Sequence, residues 1–180
     1  MLKRRLRKQA VADLLYEDVF RPLSDNISAR LGERLVGTPL LDNPITKIRF
    51  DLECFYLTAF LVTFSFQREF EYLGHDASNF ILDCFQSKLF ENLSKTCEGD
   101  KFSEQLKSRY AEYYPSIKED LRCLKVEGTV LFREITDSFF NKIAPDKLKA
   151  MESILFGLFL ADLYPSICET YNKIKDYEIG

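Results

Sequence analysis

The sequence predicts an all-α, single-domain bundle of six to eight helices around a buried central helix at about residues 45–73. Three observations carry this expectation. Apolar residues recur at three- and four-residue spacing along nearly the whole chain, and no stretch shows convincing period-two alternation. Seven Gly and six Pro in 180 residues are few for a turn-rich β architecture. The segment 45–73 is apolar almost all round, with only Asp51, Thr58, Ser65 and Glu69 forming a narrow polar stripe; such a helix must be enclosed on several sides.

In chain order, Leu6, Ala10, Leu14 and Leu15 begin a first helix, which Pro22 should end. "MLKRRLRK" carries five positive side chains, and residues 1–10 are expected to form a mobile, solvated basic terminus. Contact between it and an anionic membrane is the weighed alternative. "SDNISARLGERLVG" suggests a short second helix closed near Gly37, and "GTPLLDNP" (37–44) is a loop. The central helix should stop at Gly74, a natural residue just beyond a helix C-terminus. Asp76 should cap the next helix, with Ala77, Phe80, Ile81, Cys84, Phe85 and Lys88 on one face and Leu82 and Phe90 off it. After a break at "TCEGD" (96–100), Phe102, Leu106, Tyr110 and Tyr113 lead a stripe that Ile117, Leu121, Leu124, Gly128, Leu131, Ile135 and Phe139 continue to Ile143. Pro145 fits the first turn of a last helix reaching about Tyr177.

One phrase occurs twice: "AEYYPSIKE" at 111–119 and "ADLYPSICE" at 161–169. Proline inside a helix removes a hydrogen bond and crowds the carbonyl four residues back. Each Ser-x-x-Glu also resembles a capping box. An unbroken helix over 101–143 would be roughly 65 Å long, against a diameter near roughly 40 Å for a compact chain of this size. Pro115 and Pro165 are therefore expected to be bends that wrap helices around the central one. A further reading has Tyr114 and Tyr164 lining a common pocket.

Candidate chemistry is sparse. Asp162 falls among Met151, Leu155, Leu158 and Phe159, where a buried carboxylate needs a partner; Ser166, one turn on, could satisfy it. Glu112, in the matching position, is expected to be solvated. His75 is the only histidine and pairs with Glu71 at i, i+4, too few ligands for a metal site, so neither metal nor cofactor is expected. The Phe-rich segment, Phe60 and Phe64 at its centre, reads as close-packed core or as an aromatic cavity with Thr58, Ser65, Glu53 or Gln67 as anchors. No GxSxG, Walker loop, GxGxxG or HExxH is present, which leaves no signature of catalysis.

Charge bounds the partners. Residues 1–50 hold ten Lys/Arg against six Asp/Glu, and residues 51–180 hold 15 against 22. An acidic body argues against a nucleic-acid partner. Five scattered cysteines without CxxC spacing fit reduced thiols and a cytoplasmic setting. The most apolar run, Cys54 to Phe66, is too short to span a bilayer.

Two functional expectations follow. The leading one is a non-catalytic helical module that binds a protein partner, or itself as a homodimer, with Leu82 and Phe90 exposed at the interface. The other is a binder of a small apolar molecule, or an enzyme, whose cavity between helices involves Phe60, Phe64, Tyr114, Asp162 and Tyr164.

Overall fold

A computed structural model of the protein describes residues 5–24, 27, 29, 44–93, 99–127, 132–143 and 150–180. It is an all-α, single-domain helical bundle. The described helices are α1 (Lys8–Leu14), α2 (Pro44–Glu69), α3 (His75–Leu93), α4 (Gly99–Glu127), α5 (Arg133–Ile143) and α6 (Ala150–Lys175). A π-helical segment, Leu15–Phe20, continues α1, and a 3₁₀ turn, Glu71–Leu73, links α2 to α3. The segments expected as a short second helix and a loop (25–43) lie almost wholly outside the described residues, as do Pro145 and residues 96–98 of the break expected at 96–100, whose Gly99 and Asp100 instead open α4.

The buried helix is α2. Tyr56, Leu57, Ala59, Phe60, Val62 and Phe66 are all fully buried, because α4, α5 and α6 each pack against it. The polar residues of its stripe are handled locally. Thr58 donates to the Cys54 carbonyl at 2.7 Å, and Ser65 to the Leu61 carbonyl at 2.5 Å. A short hydroxyl can bond back within its own helix in this way, so these two residues of the stripe stay buried.

Several boundaries differ from expectation. Pro22 does not end the first helix, since 21–24 remain helical. The turns before it are π-helical, and the Arg21 N–H reaches the Tyr16 carbonyl five residues back; such wide turns accommodate residues that an α-helix crowds out. The buried face is Val11, Ala12, Leu15, Val19 and Phe20. Positions recurring every four drift round a 3.6-residue helix, and the wider turns absorb that drift. Leu6 lies in a strand instead. Arg5–Leu6 (β1) pairs in parallel with Glu178–Ile179 (β2), and the Gly180 N–H donates to the Leu6 carbonyl at 3.0 Å. From Arg5 onward, the terminus expected to be mobile is therefore anchored.

Asp76 is not the cap of α3. The helix starts at His75, with the Ser78 N–H bonded to the Gly74 carbonyl at 3.1 Å. Asp76 sits in the first turn, where its charge complements the helix dipole.

Pro115 and Pro165 both lie inside continuous helices, so neither divides one. Both rings are exposed. On a solvent-facing side the carbonyl deprived of its donor can be hydrated, which lowers the cost of the missing bond. The capping-box reading fails for the same reason. Ser116 lies mid-helix, donating to the Glu112 carbonyl at 3.1 Å, and Glu119 pairs with Arg122 at 2.5 Å.

The break demanded by length comes later, between Glu127 and Arg133. From there α5 runs back along α4 in antiparallel register. Asp120 meets Glu134 and Ile135, Ser116 meets Ser138 at 2.9 Å, and Glu112 meets Lys142 at 2.7 Å. Glu112 is thus a link between helices, not a solvated residue. Asp120, only 5% exposed, accepts from the backbone N–H groups of Glu134 and Ile135, each at 3.0 Å. It satisfies two of the donors a helix start leaves open from another helix. Phe132, just before α5, takes a left-handed φ of 45°, a strained conformation for a bulky residue. Its buried ring packs on Tyr164 at 6.1 Å, and its carbonyl accepts from the Thr136 N–H at 3.1 Å.

Candidate functional site

The second half of α2 presents Phe60, Phe64, Gln67 and Arg68 along one side, and the repeated phrases close on it from two helices. Tyr114 of α4 packs its ring on Phe60 at 5.1 Å and on Phe64 at 5.9 Å. Tyr164 of α6 packs on Phe64 at 6.4 Å. Their hydroxyls engage consecutive residues of α2: Tyr114 donates to Gln67 Oε1, and Tyr164 accepts from Arg68 at 3.2 Å. Three residues on from each tyrosine, Ile117 and Ile167 are buried. The duplicated phrase is therefore a docking unit used twice, once for each helix flanking α2. Burial pushes the pKa of both tyrosines up.

This junction unites Phe60, Phe64, Tyr114 and Tyr164, four of the five residues proposed for a pocket. The fifth, Asp162, lies in α6, but its side chain and that of Ser166 are outside the described residues. The rings meet each other at packing distance, and Tyr110 and Tyr113 add contacts to Phe60 at 5.6 and 5.4 Å. Each such aromatic pair contributes about 0.5–1.5 kcal/mol beyond the area it buries. The polar anchors are already engaged. Thr58 is bonded to the Cys54 carbonyl, Gln67 accepts from Tyr114, and Ser65, whose proton goes to the Leu61 carbonyl, lies 3.2 Å from the Tyr171 hydroxyl. That hydroxyl in turn donates to the Val62 carbonyl at 2.7 Å.

Glu53, in the first half of α2, is a buried carboxylate. It is clamped by Arg109 of α4, whose Nε lies 2.8 Å from both carboxylate oxygens, and the Tyr113 hydroxyl donates to it at 3.2 Å. Burial and the nearby Glu53 charge push the Tyr113 hydroxyl pKa well up. A buried acid with its guanidinium and a phenol looks like machinery for proton transfer, but every acceptor position is taken by a donor of the same bundle. The arrangement is a structural lock. Sequence reasoning named Glu53 only as an anchor and missed Arg109 and Tyr113; their position on the α4 stripe beside Tyr110 was the available signal.

The residues assigned to an interface fare differently. Leu82 is 4% exposed and belongs to the core. Phe90 is partly buried against Phe102 at 5.9 Å. The buried face of α3 is Ile81, Leu82, Phe85 and Leu89, and Phe80, expected inside, is 49% exposed. The helix is thus rotated relative to the expected face, because Phe20 of the π segment and Lys88–Asp13 pairing at 2.8 Å fix its α1-facing side.

The exposed apolar surface sits on α2 instead. Ile45, Ile48 and Leu52 are 63%, 67% and 38% exposed, at i, i+3 and i+7 on the first two turns. Phe55, half-buried, extends the row by one position. The opposite side of these turns carries Phe50, which is buried against Phe139 at 6.0 Å. The start of α2 therefore has one face in the core and a second apolar face toward solvent.

Among the described residues no group of three or more His, Cys, Asp or Glu is placed to hold a metal ion, and no helix is long and apolar enough to cross a membrane. His75 is exposed and pairs with Asn79 at 2.8 Å, while Glu71 lies in the preceding 3₁₀ turn. No protein-family model, no curated protein and no solved structure matches the chain.

Proposed function

We propose that the protein is a non-catalytic helical interaction module whose docking face is the start of α2. The observation that carries this reading is the exposed row Ile45, Ile48 and Leu52. Its spacing is that of the a and d positions of a two-helix seam, and the partner chemistry it fits is an amphipathic helix offering the same spacing. A second copy of the chain supplies one. In a parallel two-fold arrangement the row meets itself, and Arg49 and Asp51, which flank it on opposite sides of the helical wheel, face one another across the pair. An isologous contact of this kind is self-complementary. The aromatic junction around Phe64 supports this role by holding α2 rigidly within the bundle.

Sedimentation velocity tests the proposal over about 1 to 100 μM protein, a range that brackets association free energies of roughly 5.5 to 8 kcal/mol. The expected outcome is a reversible dimer that Ile48→Glu abolishes. Because Ile48 is exposed, stability should change by no more than about 0.5 kcal/mol. A monomer throughout this range, or a dimer indifferent to Ile48→Glu, would contradict self-docking through this face.

A further inference from the structure

The π-helical segment borders a second feature of the surface. Between it and the last turns of α6 lies an open cleft of about 510 Å³, within the usual range of small-ligand sites. Leu14, Val19 and Pro22 form one wall and Ile174 and Tyr177 the other, while Glu17 and Asp18 also line it. Among the described residues no basic side chain lines it. The nearest basic partner in the helix, Arg21, holds Glu17 at 3.2 Å with both groups more than half exposed, so that pair is weak and readily exchanged. Asp18 is exposed and stands beside an apolar floor. The wide π turns place Glu17, Asp18 and Val19 together on the cleft, and π segments recur at functional sites because they re-aim side chains at a cost in helix stability.

We propose that this cleft binds a small organic cation with an apolar body, an aliphatic or aromatic amine. The walls take the hydrocarbon part, the Glu17 and Asp18 carboxylates take the ammonium, and the Tyr177 ring offers a face for a cation–π contact. Its lining residues are distinct from Ile45, Ile48 and Leu52 of the docking face.

The test is an amide NMR titration of the full chain with phenethylammonium, alongside its neutral and anionic counterparts, phenethyl alcohol and hydrocinnamate. The expected result is saturable shifts confined to residues 14–22 and 170–177, strongest for the cation and absent for the anion. Asp18→Asn should weaken cation binding by about fivefold, the factor expected for one exposed charge contact, and Glu17→Gln should weaken it further when combined. Both positions are exposed, so the variants should retain the wild-type spectrum elsewhere. Equal binding of alcohol and amine, or no effect of Asp18→Asn, would overturn the cationic preference. The absence of saturable shifts with any probe would overturn the site.

Discussion

At the scale of single residues, the tyrosines decide how the core behaves. Burial raises the hydroxyl pKa of Tyr110, Tyr113 and Tyr171 far above the usual value near 10. The folded state therefore holds their protons more tightly than the unfolded chain does. The stability tied to this is complete below about pH 10 and is lost as pH rises towards the folded values, at up to roughly 1.4 kcal/mol per pH unit for each tyrosine. Denaturant titrations between about pH 9 and about pH 11 should show stability falling steeply, with these phenolates appearing only as the chain unfolds. Constant stability across that range, or early phenolate absorbance from all nine tyrosines, would contradict the enclosed hydroxyl network. Much of this was legible in the sequence: Phe60, Phe64, Tyr114 and Tyr164 do converge. Their hydroxyl partners were not legible, because Gln67 and Arg68 differ from any other exposed polar pair only once two further helices arrive beside them. Leu82 and Phe80 exchanged places for a related reason. In the run Phe80-Ile81-Leu82, periodicity alone leaves open which two of three adjacent apolar residues turn inward.

At the scale of elements, proline was given too much authority. The local chemistry at Pro22, Pro115 and Pro165 favours stopping a helix, yet helix continues at all three. Tertiary packing outweighs the local cost: Tyr113 and Ile117 on either side of Pro115 are fully buried, and ending α4 there would pull them from the core. A proline in a helix interior costs about 3 kcal/mol relative to alanine, partly offset by about 0.4–1 kcal/mol from a stiffer unfolded chain. Since the Pro115 ring is exposed, Pro115→Ala should raise unfolding free energy by about 2 kcal/mol in denaturant titrations. A loss of stability would show instead that the fold requires Pro115. The true reversal, between α4 and α5, had no comparable signal. Its main fastening is Asp120 accepting from Glu134 and Ile135, a cap supplied from a different helix, which no local capping pattern announces.

At the scale of the whole molecule, chain length was the more reliable guide. A helix over 101–143 was too long for the bundle, and the chain does turn back. At 29 residues, α4 is roughly 43 Å long, about the expected diameter. The buried helix was legible because an apolar circumference has one physical explanation, enclosure on several sides. What remained hidden was where enclosure ends: the first turns of α2 have the same apolar character as the rest, and only the placement of neighbours leaves Ile45 and Ile48 exposed. The central claim joins these two halves, an enclosed α2 with an exposed docking start. Native-state hydrogen exchange, read at low and high protein concentration, tests it most directly. Amides of residues 54–66 should exchange only through global unfolding, whereas those of 48–52 should gain protection as concentration rises. Rapid exchange of 54–66 through local opening, together with concentration-independent exchange at 48–52, would contradict it.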